Sequence, residues 1–109
     1  MRLYHASKLG YFRGDFVVPA NYYYPDRSEV IHFADTPERA SQWVKNVAAT
    51  WSLWCVNSKE IDGLEPNPAY AGAYVTRERQ AADAFTLIET HNEERGEMAS
   101  VENYIEGLI

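Results

Sequence analysis

The sequence predicts a strand-rich α+β domain with one central helix and a short C-terminal helix. Short runs of β-branched and aromatic residues, separated by Gly and Pro, indicate the strands. One segment, residues 35–38, has the features of a helix start: a polar cap, a proline at the first helical position and an acid in the first turn. From about Met98 to Leu108, apolar residues recur at helical spacing and predict the terminal helix: Val101, Tyr104, Ile105 and Leu108.

The central helix is predicted to run to about Ala49, with an apolar face for packing on a sheet: Ala40, Trp43, Val44 and Val47. The first strand begins at Arg2 and ends at Tyr4 or His5. Further strands are predicted at residues 16–19, 29–34, 51–56, 73–76 and 84–88, and Pro and Gly indicate loops at 21–28 and 61–68.

Length and composition restrict the class of protein. A chain of 109 residues is expected to be one domain, residues 1–109. Sixteen acidic against ten scattered basic residues give a net charge of −6, which disfavours nucleic-acid binding. Cys55 is the single cysteine and lies in an apolar run, which predicts a buried thiol in a reducing setting. Apolar stretches are shorter than the roughly 18 residues of a membrane span, so we expect a cytoplasmic protein without membrane contact.

Two histidines are candidates for chemistry. His5 ends the first strand, and if the strand continues, the Ser7 hydroxyl points the same way as the imidazole. Such a pair can bind a diol or an amide, and the alternative is a histidine that only hydrogen-bonds a neighbouring backbone group. His32 lies mid-strand, so alternation directs it to the face opposite Ile31 and Phe33. A partly exposed strand histidine without a role is the alternative there.

Other kinds of site are not supported. The spacing of the histidines and Cys55 does not match a zinc site, so we expect no metal. Ser7 lacks the strained turn of a serine nucleophile, and the chain has neither a P-loop nor Gly-x-Gly-x-x-Gly. Three consecutive tyrosines, residues 22–24, are typical of packing or a turn, although phenol rings can also stack on a planar ligand.

Three segments resemble a known family. Residues 5–20, HASKLGYFRGDFVVPA, resemble the His-Gly-Thr-Lys segment and the following Gly-Asp…Val-Pro-Gly stretch of the rifampin ADP-ribosyltransferase family, and are similar to small phage-encoded ADP-ribosyltransferases. Residues 32–40 align with a family strand and Ala-rich helix through Thr36 and Ala40, with His32 in place of a tyrosine. Residues 64–78 align with an acidic loop and the strand after it, where Asn67 falls nearest the family acid and Glu65 lies two residues before it.

The resemblance implies a split-sheet ADP-ribosyltransferase domain that takes NAD as co-substrate and releases nicotinamide, as a cytoplasmic glycosyltransferase of phage or bacterial origin. It implies that His5 hydrogen-bonds a ribose of NAD, that Ser7 supports it and that the ring at position 32 stacks on nicotinamide. The resemblance assigns catalysis to Glu65 or Asn67. It assigns NAD binding to six residues: His5, Ala6, Ser7, His32, Phe33 and Thr36. The acceptor of ADP-ribose is a small molecule or a host protein.

Two other functions remain open. Because His32 and Asn67 depart from the family pattern, the chain is alternatively a weakened or inactive interaction module, such as a phage or mobile-element inhibitor whose acidic surface binds a basic host protein. An enzyme similar to RNA 2′-phosphotransferases is a third reading. It needs clustered basic residues for a phosphate, and the basic residues here are scattered.

Overall fold

The computed structural model describes residues 1–7, 12–13, 15–22, 24–46, 48–92 and 97–99. Over these residues the chain is an α+β fold with one α-helix, α1 (Pro37–Lys45), and with 3₁₀ turns at Ala20–Tyr22, Ser58–Glu60 and Ala82–Ala84. The strands are β1 (Arg2–Ser7), β2 (Phe12–Arg13), β3 (Phe16–Val17), β4 (Ile31–Ala34), β5 (Thr50–Asn57), β6 (Glu65–Pro66), β7 (Ala73–Thr76), β8 (Gln80–Ala81), β9 (Thr86–Asn92) and β10 (Glu97–Ala99).

The strands form two antiparallel sheets. The larger sheet has seven strands in the order β10-β9-β5-β1-β4-β7-β6, and the smaller has three in the order β2-β3-β8. β1 is therefore the central strand of the larger sheet, with β5 on one side and β4 on the other. The predicted α+β class and the central helix are confirmed over the described residues.

Local sequence determines the start of α1. Thr36 is the N-cap, and its Oγ1 accepts a hydrogen bond from the Arg39 backbone N–H at 3.2 Å. Pro37 follows at the first helical position, where its missing N–H is not needed. The predicted start is thus confirmed, whereas the helix ends at Lys45, earlier than the predicted end near Ala49.

The buried face of α1 differs from the prediction. Ala40 and Val44 are buried as predicted, but Trp43 is 44% exposed and does not belong to the packed face. Ser41 is buried instead, because its hydroxyl donates to the Pro37 carbonyl oxygen at 2.9 Å and so satisfies its polar group within the helix. Val47 lies outside the described residues.

Alternation along β1 defines the two faces of the larger sheet. Leu3, His5 and Ser7 lie on what we call the inner face, and Tyr4 and Ala6 lie on the helix face, which α1 covers. The inner face carries one core cluster, which includes Val17 of the smaller sheet: Leu3, Val17, Ile31, Phe33, Val56, Ile61 and Phe85. The helix face carries the other: Ala6, Ala34, Ala40, Val44, Trp51 and Leu53.

The predicted C-terminal helix is wrong at its start. Glu97–Ala99 form strand β10, which pairs with β9 through Met98 opposite His91 and Ala99 opposite Thr90. Without this segment β9 would be the edge of the larger sheet, with a row of unpaired backbone groups that β10 now pairs. The helical spacing of the segment's own residues does not reveal a partner on another strand. The rest of the predicted helix, residues 100–108, lies outside the described residues.

Smaller differences concern element ends and one side chain. β4 begins at Ile31 where the prediction began at residue 29, and residues 84–88 divide between a 3₁₀ turn and β9. Cys55 is only half-buried, in contrast to the predicted buried thiol. It lies opposite Tyr4 on the helix face, and Tyr4 is itself half-buried there.

Candidate functional site

His5 is a buried, neutral imidazole at the centre of the larger sheet. Its Nδ1 donates to the His32 backbone carbonyl oxygen at 2.7 Å, and 8% of the residue is exposed. Because a carbonyl oxygen only accepts, this bond assigns the proton to Nδ1 and makes Nε2 an acceptor. Burial lowers the pKa of His5 from 6.5 to about 4, with the hydrogen bond to His32 opposing this effect, so the ring is uncharged at neutral pH.

Aromatic rings surround His5 on the inner face. Its ring centroid lies 5.7 Å from that of Phe33 and 6.2 Å from that of Phe85, the latter edge-on at 75°. The two phenyl rings lie 6.2 Å apart and are nearly parallel, at 27°. This aromatic group fixes the orientation of the imidazole and gives the site an apolar lining.

Ser7 shares the inner face with His5, because β1 continues to that residue. Its hydroxyl oxygen accepts the indole N–H of Trp54 at 3.2 Å, and the residue is 2% exposed. Trp54 stands directly opposite His5 in the pairing of β1 with β5. His5, Ser7 and Trp54 therefore form one contiguous polar group within the inner face.

His32 lies on the opposite side of the sheet from His5. It alternates with Phe33 along β4, is exposed, and its Nε2 lies 3.0 Å from Ser28 Oγ. Partial burial of the ring lowers its pKa. The two histidines are thus in neighbouring strands, and yet their imidazoles do not share a face.

Glu65 lies in the same row as His32. Both residues stand in register with Val75, which places their side chains on one face, and Glu65 is exposed on strand β6 at the sheet edge. The carboxylate is consequently on the far side of the sheet from His5.

Ala6, Thr36 and Asn67 have local structural roles. Ala6 is buried on the helix face, and Thr36 Oγ1 caps α1. Asn67 Oδ1 accepts the Ala69 backbone N–H at 2.9 Å, which closes a turn after β6. In sum, the structure brings together His5, Ser7 and Phe33 and separates from them Ala6, His32, Thr36, Glu65 and Asn67.

Several inner-face residues were missed by the sequence reasoning. Trp54 and Phe85 were assigned only to strands, and Ser52 and Thr90 were given no role. A signal existed for Ser52, which follows Trp51 in an otherwise apolar strand and is fully buried. Its neighbours across the sheet depend on the strand register, which cannot be read from the local sequence.

An open depression lies beside the smaller sheet, lined by Asp15, Phe16, Ala81, Ala82 and Asp83. The Arg79 guanidinium sits over the Phe16 ring at 4.2 Å from its centroid. These residues are separate from the ones that the sequence assigned to NAD.

Comparison of the chain with protein-family models, with curated proteins and with solved structures gave no match. Within the part of the chain that the structure covers, no helix combines the length and apolar character needed to cross a membrane. The same residues contain no group of three or more His, Cys, Asp or Glu side chains placed to hold a metal ion.

Proposed function

We propose that the chain is an NAD-dependent ADP-ribosyltransferase of the split-sheet type, with its NAD-binding residues on the inner face of the larger sheet. The resemblance of residues 5–20 to the rifampin ADP-ribosyltransferase family motivates the proposal. The observation that carries it is the meeting of His5, Ser7 and Phe33 on one face, the face that packs against Val17 of the smaller sheet.

The chemistry of these side chains suits the ribose and nicotinamide parts of NAD. A hydroxyl such as that of Ser7 both donates and accepts, and a neutral imidazole with its proton on Nδ1 accepts at Nε2. The rings of Phe33 and Phe85 belong to the buried core cluster and form an apolar backing for the His5 side chain. In this site Phe33, and not His32, supplies the ring next to His5.

NAD supplies the ADP-ribose group, and its nicotinamide is the leaving group. The protein residues contribute chiefly by positioning: the bond from His5 to the His32 carbonyl oxygen holds the imidazole in one orientation before any substrate arrives. A carboxylate near the ribose would add charge stabilisation, but Glu65 lies on the other face and the Asn67 amide is engaged in its turn. We therefore expect slow nicotinamide release.

The test is nicotinamide release from millimolar NAD, measured by chromatography for the wild type, His5→Gln and His91→Gln. His91 stacks on Trp51, with ring centroids 5.2 Å apart, on the helix-face side, and provides a matched control. We expect release by the wild type and the control, and a loss of about tenfold or more in His5→Gln because a substrate hydrogen bond is removed. No release by the wild type, or equal release by all three proteins, contradicts the proposal.

A second candidate is an interaction module on the same fold, with weakened or absent transfer. It is favoured by the position of His32 and Glu65 on the face away from His5. Several large aromatic side chains are also exposed on a chain of net charge −6, namely Tyr22, Tyr24, Trp43 and Tyr70. Two results together would support this function over transfer: the wild type releases no nicotinamide, and a host protein binds the wild type and His5→Gln equally.

A further inference from the structure

Three buried hydroxyl side chains lie side by side across the larger sheet. Ser7 of β1 stands opposite Ser52 of β5, and Ser52 stands opposite Thr90 of β9. Residues paired in this way share one face, which here is the inner face. Their exposed fractions are 2%, 0% and 5%. This hydroxyl row (Ser7, Ser52 and Thr90) extends from His5 towards β9.

Two members of the hydroxyl row have no hydrogen-bond partner among the described residues. Ser52 Oγ and Thr90 Oγ1 are enclosed and unpaired within the residues that the structure describes, whereas Ser7 Oγ accepts the Trp54 indole N–H. A buried hydroxyl without a partner destabilises the folded state relative to a paired one. Ala and Val would fill these positions without that cost, so the two hydroxyls are suited to a polar partner that is not a protein group.

The surroundings of the hydroxyl row indicate an uncharged ligand. The described side chains next to it on the inner face, His5 and Trp54, carry no charge at neutral pH. Each hydroxyl of the row can donate and accept, which matches a ligand group that does both, namely another hydroxyl. Trp54 lies on the same face between Ser52 and Val56 and offers an apolar ring for the carbon face of a sugar.

We propose that the hydroxyl row binds the adjacent hydroxyls of a ribose ring, with Ser52 Oγ and Thr90 Oγ1 as the binding atoms. The assignment of that ribose to NAD rests on the proposed function. In the complex, the ribose supplies the partners that both oxygens lack in the free protein. Since both oxygens are shielded there, binding includes an opening step, and the observed affinity is lower by the cost of that step.

The test uses Ser52→Ala, Thr90→Val and the double variant, with Ser41→Ala as matched control. Ser41 is also a buried serine, but its hydroxyl is paired with the Pro37 carbonyl oxygen on α1. Thermal unfolding comes first: we expect the melting temperature of the row variants to equal or exceed that of the wild type, because an unpaired hydroxyl is removed. A protein in which these hydroxyls serve the fold would instead melt earlier.

Calorimetric titration then compares NAD, adenosine and 2′,3′-dideoxyadenosine. We expect the wild type and Ser41→Ala to bind adenosine about tenfold more tightly than the dideoxy compound, in line with the loss of one to two hydrogen bonds. In the double variant this preference should disappear and NAD should bind about tenfold more weakly.

A preference for adenosine that survives in the double variant overturns the proposal, and so does a wild type that binds none of the three compounds. The proposed function is decided separately by nicotinamide release. A row-dependent adenosine preference without nicotinamide release supports the hydroxyl row and removes the transferase. Nicotinamide release together with unchanged NAD affinity in the double variant supports the transferase and overturns the role of the hydroxyl row.

Discussion

At the scale of the residue, His5 links the fold to the proposed chemistry. Its ring packs between Phe33 and Phe85, and its one assigned proton goes to the His32 carbonyl oxygen. Burial away from water disfavours the protonated ring more than the bond to the His32 carbonyl oxygen favours it, which is why its pKa falls to about 4. The same burial makes the stability of the protein depend on pH.

We predict that acid destabilises the protein through His5. The unfolded chain binds a proton near pH 6.5 and the folded chain only near pH 4, so the free energy of unfolding falls as pH drops through that window. Between pH 7 and pH 5 the loss is on the order of 2 kcal/mol. Urea denaturation at these two pH values measures it.

The variants His5→Gln and His32→Gln separate the two histidines in that experiment. His5→Gln should lose the larger part of the pH dependence, whatever its absolute stability. His32→Gln should keep the His5 part, because His5 bonds the backbone carbonyl oxygen of residue 32, which the substitution leaves in place. An identical pH dependence in the wild type and His5→Gln would show that His5 is not the titrating group.

Asn67→Asp tests the missing charge of the proposed transferase. The side chain accepts the Ala69 backbone N–H through Oδ1, and an aspartate oxygen can do the same, so the turn should be kept. Because the structure separates position 67 from His5, Ser7 and Phe33, we expect nicotinamide release to stay unchanged, with Asn67→Ala as the control for the turn. A rise of about 10²-fold or more would return position 67 to the catalytic machinery.

Strand periodicity predicted part of the site and could not predict the rest. It indicated that His5 and Ser7 share a face and that His32 points away from Phe33, and both are observed. Which face of β4 joins His5 depends on the pairing of Tyr4 with Ala34, a contact between residues far apart in sequence. The local pattern therefore predicted the direction of each side chain within its own strand. It could not predict that the imidazoles of His5 and His32 lie on opposite faces of the sheet.

At the scale of the element, the start of α1 separates a structural role of Thr36 from a role in NAD binding. We predict that Thr36→Ala lowers the free energy of unfolding by about 1 kcal/mol, because the capping bond to the Arg39 N–H is lost. Thr36→Ser should keep most of the stability that this capping bond contributes. Chemical denaturation measures both, and a loss of NAD affinity in Thr36→Ser would contradict a purely capping role.

The buried side chain of Gln80, in strand β8, holds the tight turn at Asp62 that follows the 3₁₀ turn Ser58–Glu60. Gln80 is 2% exposed; its Oε1 accepts the Asp62 N–H at 2.8 Å, and its Nε2 donates to the carbonyl oxygens of Asp62 and Glu78 at 2.9 Å each. Thr76 adds a bond from its hydroxyl to the Asp62 carbonyl oxygen at 2.7 Å. Gly63, at φ +70°, completes this tight turn.

We predict that Gln80→Met destabilises the protein by about 1–3 kcal/mol, because the volume is kept while buried partners lose their bonds. Gln42→Met, on the exposed side of α1, should change stability by less than about 0.5 kcal/mol. Urea denaturation compares the two variants. Equal effects would mean that the Asp62 turn does not depend on Gln80.

Elements with a local cause were the ones that sequence predicted well. The start of α1 depends on Thr36 and Pro37 alone and was predicted correctly. The end of the chain was not, because Glu97–Ala99 gain their hydrogen bonds from β9, and this partner competes with a local helical pattern. Gln80 gave no signal either, since its partners are brought to it by the fold.

At the scale of the whole molecule, the proposed NAD site depends on two sheets meeting at one face. The inner face joins β1, β4 and β5 of the larger sheet with β3 of the smaller, and it holds both the aromatic group around His5 and the hydroxyl row. The helix face, by contrast, is closed by α1 and carries His32 and Glu65 at its exposed part. A ligand of the inner face should therefore stabilise the whole fold.

The most direct measurement of this claim is the thermal unfolding midpoint with and without millimolar NAD, for the wild type and for His5→Gln. A ligand that binds only the folded protein adds about 2.7 kcal/mol at one hundred times its dissociation constant, which corresponds to a rise of about 10 °C for a domain of this size. We expect that rise in the wild type and a much smaller one in His5→Gln. An unchanged midpoint in the wild type, or the same rise in both proteins, would contradict an NAD site at His5.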